Sequence, residues 1–239
     1  MSRLVALSCI ALATQAFAAV GKIQVLDGSG TRTPKGGAAA ALAVGSEIEL
    51  GDVVEVKKGH LKLELNDGSV IALAEKSTLE ITEADFEGQE RKGFSAFLKA
   101  GSLWTKVKKA LGGGKFEVTT ERAVAGVRGT IFRIDADTLV KAARGQGRRA
   151  SIVRVVEGVV AVHPTKAIAK TLKGATTAKK GPRVEVAGPK EITADEWEAR
   201  FVELQRGQQI AVGVDLWEQA EVQAAAKADA FSKWLESNQ

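Results

Sequence analysis

The 239-residue chain carries 34 Lys+Arg against 29 Asp+Glu, with 45% hydrophobic residues, 25 Gly, 4 Pro and 1 Cys. That apolar share excludes a disordered tail, and the single Cys excludes an intrachain disulfide. With only 2 His as well, the residue types needed for zinc, haem or iron–sulfur ligation are nearly missing, so no cofactor and no metal is expected.

Residues 1–18 read as an export signal. Arg3 gives the positive start, Leu4 to Leu12 the apolar stretch, and Ala16-Phe17-Ala18 the small-residue cleavage pattern. The apolar stretch is shorter than the ~20 residues a spanning helix needs. Ala6-Leu7-Ser8-Cys9 is a poor lipidation match, so cleavage is expected after Ala18. The mature chain then holds no cysteine and no transmembrane span.

Residues 19–192 are expected to form one β domain. Val20 to Leu26 alternates and stops at Asp27-Gly28, a turn signal. Residues 31–43, with Pro34 and an alanine run, read as an exposed loop. Leu61-Lys62-Leu63-Glu64-Leu65 puts three leucines on one face and two charges on the other. Asp67-Gly68 suits a type I′ hairpin turn. Further alternating runs cover 78–82, 103–107, 115–119, 131–135 and 151–162. Strands this short, joined by Gly and Asn/Asp turns, predict a mainly β, antiparallel-rich sandwich or roll. Residues 141–150 read as a polar loop, 165–183 as a basic loop, and 184–192 as a last strand.

From residue 193 the period changes. Thr193 and Glu196 form a capping-box pattern, and Trp197, Phe201 and Leu204 follow at helical spacing. Asp215 and Glu218 repeat the cap signal. Residues 216–235 are rich in good helix formers, with Trp217, Ala224, Phe231 and Leu235 on one face. Residues 193–239 are therefore expected as an α-helical hairpin or tail. Its apolar stripe reads as packing on the β domain or as a partner-binding surface that includes Trp234.

Six segments in order carry a family resemblance. They are Leu50-Gly51-Asp52-Val53-Val54, then Leu65 to Leu73 with Asp67, Gly68 and Ser69, and Lys76-Ser77-Thr78-Leu79-Glu80-Ile81. Next come Leu98 to Trp104 with Gly101, Ala123 to Phe132 with Arg128, Gly129 and Thr130, and Val153 to Val162 with Glu157 and Gly158. Over residues 20–163 the chain resembles the periplasmic FecR domain. The resemblance implies an all-β, non-enzymatic module of the bacterial envelope. In FecR this module follows a cytoplasmic anti-sigma segment and a membrane span. Here the sequence opens on the export signal instead.

The motif residues Gly51, Asp52, Asp67, Gly68, Ser69, Gly101, Arg128, Gly129, Thr130, Phe132, Glu157 and Gly158 read as structural. Gly51-Asp52 is a turn in which the aspartate bonds nearby amides. Arg128, flanked by Val127 and Gly129, needs a carboxylate such as Asp52 or several carbonyls, or else it contacts an anion. Gly112-Gly113-Gly114-Lys115 lacks the remainder of a phosphate-loop motif. His60 and His163 read as surface histidines at strand ends, and Asp135 with Asp137 as a solvated pair. No catalytic set emerges, so no enzyme is expected.

The charge is uneven. Residues 19–137 hold 17 basic and 17 acidic groups, residues 138–184 hold 11 and 1, and residues 185–239 hold 5 and 11. The basic segment, with Arg144, Arg148, Arg149, Lys166, Lys170 and Lys173, is a candidate partner surface. It lacks the interleaved aromatics of single-strand nucleic-acid binding. Two readings follow: an envelope module that binds a protein or another copy of itself, or a protein that binds cell-wall glycan through residues 138–184.

Overall fold

A computed structural model describes residues 19–109, 114–127, 129–141, 147–169, 202–213, 216–221 and 229–238. Its fifteen strands are β1 (Ala19–Thr33), β2 (Ala40–Ala41), β3 (Glu47–Glu49), β4 (Val53–Leu65), β5 (Val70–Leu73), β6 (Ser77–Glu87), β7 (Glu90–Lys106), β8 (Lys115–Thr119), β9 (Ala123–Val127), β10 (Ile131–Lys141), β11 (Gly147–Glu157), β12 (Val159–Pro164), β13 (Val202–Gln205), β14 (Gln208–Gly213) and β15 (Leu216–Glu221). Residues 166–169 are helical, and a C-terminal helix, α1 (Ala230–Ser237), closes the described residues. The protein is thus mostly antiparallel β with a short C-terminal helix.

Three strands are too long to lie flat, and they pair differently at their two ends. β7 pairs with β8 in parallel through Gly93–Phe97, and with β5 and β10 through residues 101–106. β4 pairs with β6 through Val53–Val56 and with β5 through Leu61–Glu64. β1 follows β4 along its whole length. The continuous ladder therefore folds into two layers. The first runs β15-β14-β11-β10-β7-β5-β4-β1-β3, using the residue 101–106 end of β7. The second runs β13-β12-β9-β8-β7-β6-β4-β1-β2, using its residue 93–97 end. Alternation sends Ile23, Leu61, Leu63, Ile71, Leu79, Phe94, Leu103, Phe116, Phe132, Val153 and Ile210 into one shared core, all 1% exposed or less.

Two turn expectations change. Asp27-Gly28 does not end β1: Gly28 pairs with Gly59 of β4 in mid-strand. A Cβ on Gly59 would lie 1.7 Å from the Asp27 carbonyl oxygen, and Gly59 has φ of 76°. The two glycines let the strand pair bend from one layer to the other while the backbones touch. At the β4–β5 hairpin only Gly68 has positive φ, and its amide bonds the Leu65 carbonyl at 2.8 Å. The turn is therefore type I with a glycine bulge rather than type I′, because Asn66 and Asp67 keep ordinary negative φ.

The C-terminal region is the main correction. Among the described residues of this region, 202–205, 208–213 and 216–221 are strands, and 230–237 are the helix α1. Helix formers in 216–221 and the Trp197–Phe201–Leu204 spacing suggested helices. Yet Leu204, Ile210 and Val212 alternate, and they are buried in the shared core. β13 and β14 also supply the ladder partners that β12 and β11 would otherwise lack, so sheet pairing overrides local propensity. The helix begins later than either sequence signal. Its N-cap is Asp229, whose side chain accepts from the Ser232 amide at 2.8 Å. The expected loop over residues 31–43 is partly strand, and residues 138–141 and 147–150 extend β10 and β11. Residues 166–169, at the start of the expected basic loop, are helical rather than loop; the remainder of that loop, the strand at 184–192 and the capping box at Thr193 lie outside the described residues.

Candidate functional site

The register of the first layer aligns outward residues in rows. Lys62 stands opposite Ala72, Ala72 opposite Trp104, Trp104 opposite Arg133, Arg133 opposite Arg154, and Arg154 opposite Gln209. One row thus crosses six strands with three cations, an indole and an amide. The row beside it holds Glu64, Val70, Lys106 and Ile131. On the other side Ser102, Asp135, Ile152 and Ala211 follow one another across four strands. Period-2 alternation creates this face automatically once the opposite face fills the core.

Helix α1 lies on one half of this face. Phe231 and Leu235 are buried against Ala72, with Ala74, Trp104 and Trp234 packed around them. His60 stacks on Phe231 and Trp234, with ring centroids 5.6 and 4.9 Å apart. Lys62 Nζ donates to the Asn238 carbonyl at 2.7 Å. His60 is therefore a mid-strand platform for the helix and not a surface histidine at a strand end.

Asp135 anchors the electrostatics. It is 6% exposed, so it is not the solvated carboxylate expected from its sequence surroundings. It accepts from Ser102 Oγ at 2.6 Å, from Arg133 Nε and Nη2 at 2.8 Å, and from Arg154 Nη1. Arg154 Nε donates to Gln209 Oε1 at 2.9 Å. Arg133 Nη1 reaches Asp229 Oδ2 of the helix cap at 2.7 Å, and its guanidinium lies 5.3 Å from the Phe231 ring centre. Burial pulls the Arg133 pKa down, but Asp135 and Asp229 outweigh it and the guanidinium stands above its ordinary value. Burial likewise pushes Asp229 up. The Ser232 amide and Arg133 outweigh that, leaving its carboxyl below the usual range. A continuous chain of alternating charges therefore runs from Arg154 of β11 through Asp135 and Arg133 to Asp229 at the helix.

Between α1 and the sheet lies an open pocket of about 160 Å³. Trp104, Ile131, Trp234 and Leu235 give it apolar walls, and Lys62 and Lys106 are its cations.

The motif residues lie elsewhere. Asp52 is 1% exposed, accepts from Arg32 Nε at 2.5 Å and from the Glu49 amide at 2.7 Å, and caps the turn after Gly51. Asp67 and Ser69 meet Arg91, a guanidinium only 1% exposed. Arg91 also donates to the Lys108 carbonyl at 3.1 Å and lies 5.1 Å from the Phe116 ring centre. Gly101 packs against Ser77 at the bend of β7. Thr130 Oγ1 donates to the Val159 carbonyl at 2.9 Å, beside Gly129 and Gly158. Phe132 is core, and Glu157 is exposed at the β11–β12 corner. Arg128 lies outside the described residues.

Of the basic segment, Arg149 pairs with Asp137, and Arg148 and Lys166 also have interactions. Arg144, Lys170 and Lys173 lie outside the described residues. Trp217 stands opposite Val212 in β15, while Phe231 and Trp234 sit side by side on α1. Sequence reasoning missed His60, Trp104, Arg133 and Asp229. A signal did exist, since Trp104, Arg133 and Asp135 occupy outward positions of strands whose alternate residues are apolar. Among the described residues no group of three or more His, Cys, Asp or Glu could hold a metal ion.

Residues 52–161 match the family model described as FecR protein. Two crystal structures of a protein from Parabacteroides distasonis ATCC 8503, provisionally described as an anti-sigma factor, are similar at 17% identity and a TM-score of 0.48. The similarity covers 77% of this chain and 64% and 63% of theirs, so this chain spans under two thirds of their length. No curated protein matches. Through residues 52–161, which include the Asp67 and Asp135 centres and much of the shared core, the chain is similar to the FecR family.

Proposed function

We propose that this chain is an exported, non-enzymatic FecR-domain protein that binds a protein partner and signals in the bacterial envelope. The match of residues 52–161 to the FecR family model supports a signalling role. The export signal read in residues 1–18 supports the envelope location, and no helix among the described residues is long and apolar enough to cross a membrane.

The outer face of the first layer carries the reading. Helix α1 covers Ala72 and Trp104, yet Ile152, Arg154, Gln209 and Ala211 of the same face remain half-buried beside it. A face that mixes arginines, indoles and small apolar residues has the composition of a protein contact. The outer face of the second layer gives the internal control. There Glu83, Lys115 and Glu117 pair among themselves.

A photo-crosslinking residue at Ile152, in protein expressed in its native envelope, is expected to give one discrete adduct. The same residue at Val124 in the second layer is expected to give none. Equal labelling from both positions rules out this face. Recovery of the protein only with purified cell wall, lost at high salt, replaces this reading with glycan binding through residues 138–184.

A further inference from the structure

We propose that the pocket between α1 and the first layer binds a small monocarboxylate whose body is a single ring or a short apolar chain. This goes beyond the protein-partner reading, because such a ligand can bind whether or not that face meets a protein.

Size sets the first limit. A pocket of about 160 Å³ matches the engineered cavity of about 150 Å³ that accepts benzene. It holds one six-membered ring. The walls set the second limit. The Trp104 and Trp234 indoles, with Ile131 and Leu235, offer apolar and π surface, while Lys62, Lys106 and Asn238 supply the polar groups.

Charge selects the headgroup. Lys106 is exposed and lines the pocket, and its ammonium has no hydrogen bond or ion pair among the described residues. The acidic residue of its own row, Glu64, stands two strands away, with Val70 between. Two strand spacings are about 10 Å, beyond an ion pair. Lys62 is the second cation, and its ammonium already donates to Asn238 at the helix end. One uncommitted ammonium beside an apolar slot suits one carboxylate. A phosphate would call for several more donors. In the bound state the ring lies against the indoles and the carboxylate accepts from Lys106 Nζ. The ligand then touches the sheet and α1 together, so it holds the helix down.

Phenylacetate is the probe, followed by indole fluorescence and by saturation-transfer NMR on the ligand. Saturable binding is expected with half-saturation on the order of 1 mM, as the ligand's few heavy atoms allow. Phenylacetamide, of the same shape without the charge, is expected to bind about 5- to 10-fold more weakly, the worth of one partly solvated charge-assisted contact. Lys106→Gln should weaken phenylacetate by the same factor and leave phenylacetamide unchanged. Lys106 is exposed, so this variant keeps the fold, and circular dichroism checks that. Trp104→Ala should abolish both. Linear, unsaturable signals up to tens of millimolar, or equal phenylacetate affinity in wild type and Lys106→Gln, overturn the proposal. Neither result touches the crosslinking outcome at Ile152, so the two readings fail separately.

Discussion

Asp67 and Asp135 are both nearly buried, at 9% and 6% exposure, and both accept from arginine. Their surroundings differ. Every partner of Asp67 belongs to the β body: Ser69 of the same turn, and Arg91 of β7, which reaches on to the Lys108 carbonyl. Asp135 instead holds Arg133, which is shared with Asp229 of a short helix, and Arg154, which points to the sheet's open half. Burial lowers the Arg91 pKa despite Asp67, whereas at Arg133 two carboxylates outweigh burial and raise it. The first centre closes a hairpin onto the core. The second ties a short helix to a sheet face. Burial of an ion pair alone therefore does not separate the two centres; the element that it reaches does.

The largest effect should come from breaking the sealed centre. Arg91→Met leaves Asp67 buried with only Ser69 for a partner, a loss of about 3–5 kcal/mol. Urea unfolding measures it, and a loss below 1 kcal/mol would mean that water reaches Asp67. Asp135→Ala should cost less, about 1–3 kcal/mol. Arg133 keeps Asp229, and side-chain exposures of 16% and 30% let water reach both arginines. If Asp135→Ala proves as costly as Arg91→Met, the two centres are equivalent and the distinction falls.

Phe231→Ala tests whether the helix docks as a separate element. A phenylalanine sealed in a core costs about 3–5 kcal/mol on truncation. Here only Phe231 and Leu235 of α1 are buried, and an isolated eight-residue helix is not stable in water. The helix should therefore open without unfolding the sheets. Expected outcomes are faster proteolysis after residue 229 and a global stability change under about 1 kcal/mol. Cooperative loss of the whole fold would instead make α1 part of the core.

Much of the β body was legible in the sequence. Alternation in 61–65 and 131–135 assigned inward and outward residues correctly, since a strand with one buried face has no other way to lie. The six motif segments located the family stretch. Arg91 was not legible as the partner of Asp67, because 24 residues separate them and only the register of β7 joins them. Asp135 looked solvated for the same reason: its cations sit on a neighbouring strand and beside it on its own. The C-terminal strands were misread because Ala, Glu and Gln favour helix in isolation, while the edges of β11 and β12 decide their fate here.

The smallest effect is the most specific. The Asp229 carboxyl sits below its ordinary range when α1 is docked, since the Ser232 amide and Arg133 outweigh its burial. A lowered folded-state pKa means the docked helix gains stability above the free aspartate value of about 3.9. That gain is lost as pH falls through the lowered value. Between pH 7 and 5 the charge of Asp229 is constant, so this group leaves docking unchanged. Below about pH 4 α1 should release while the sheets persist, seen as movement of the Trp234 indole NMR signal away from its position beside His60. Asp229→Asn should weaken docking slightly at pH 7 and flatten the acid limb. An acid limb of the same midpoint in Asp229→Asn would overturn the assignment of the release to Asp229.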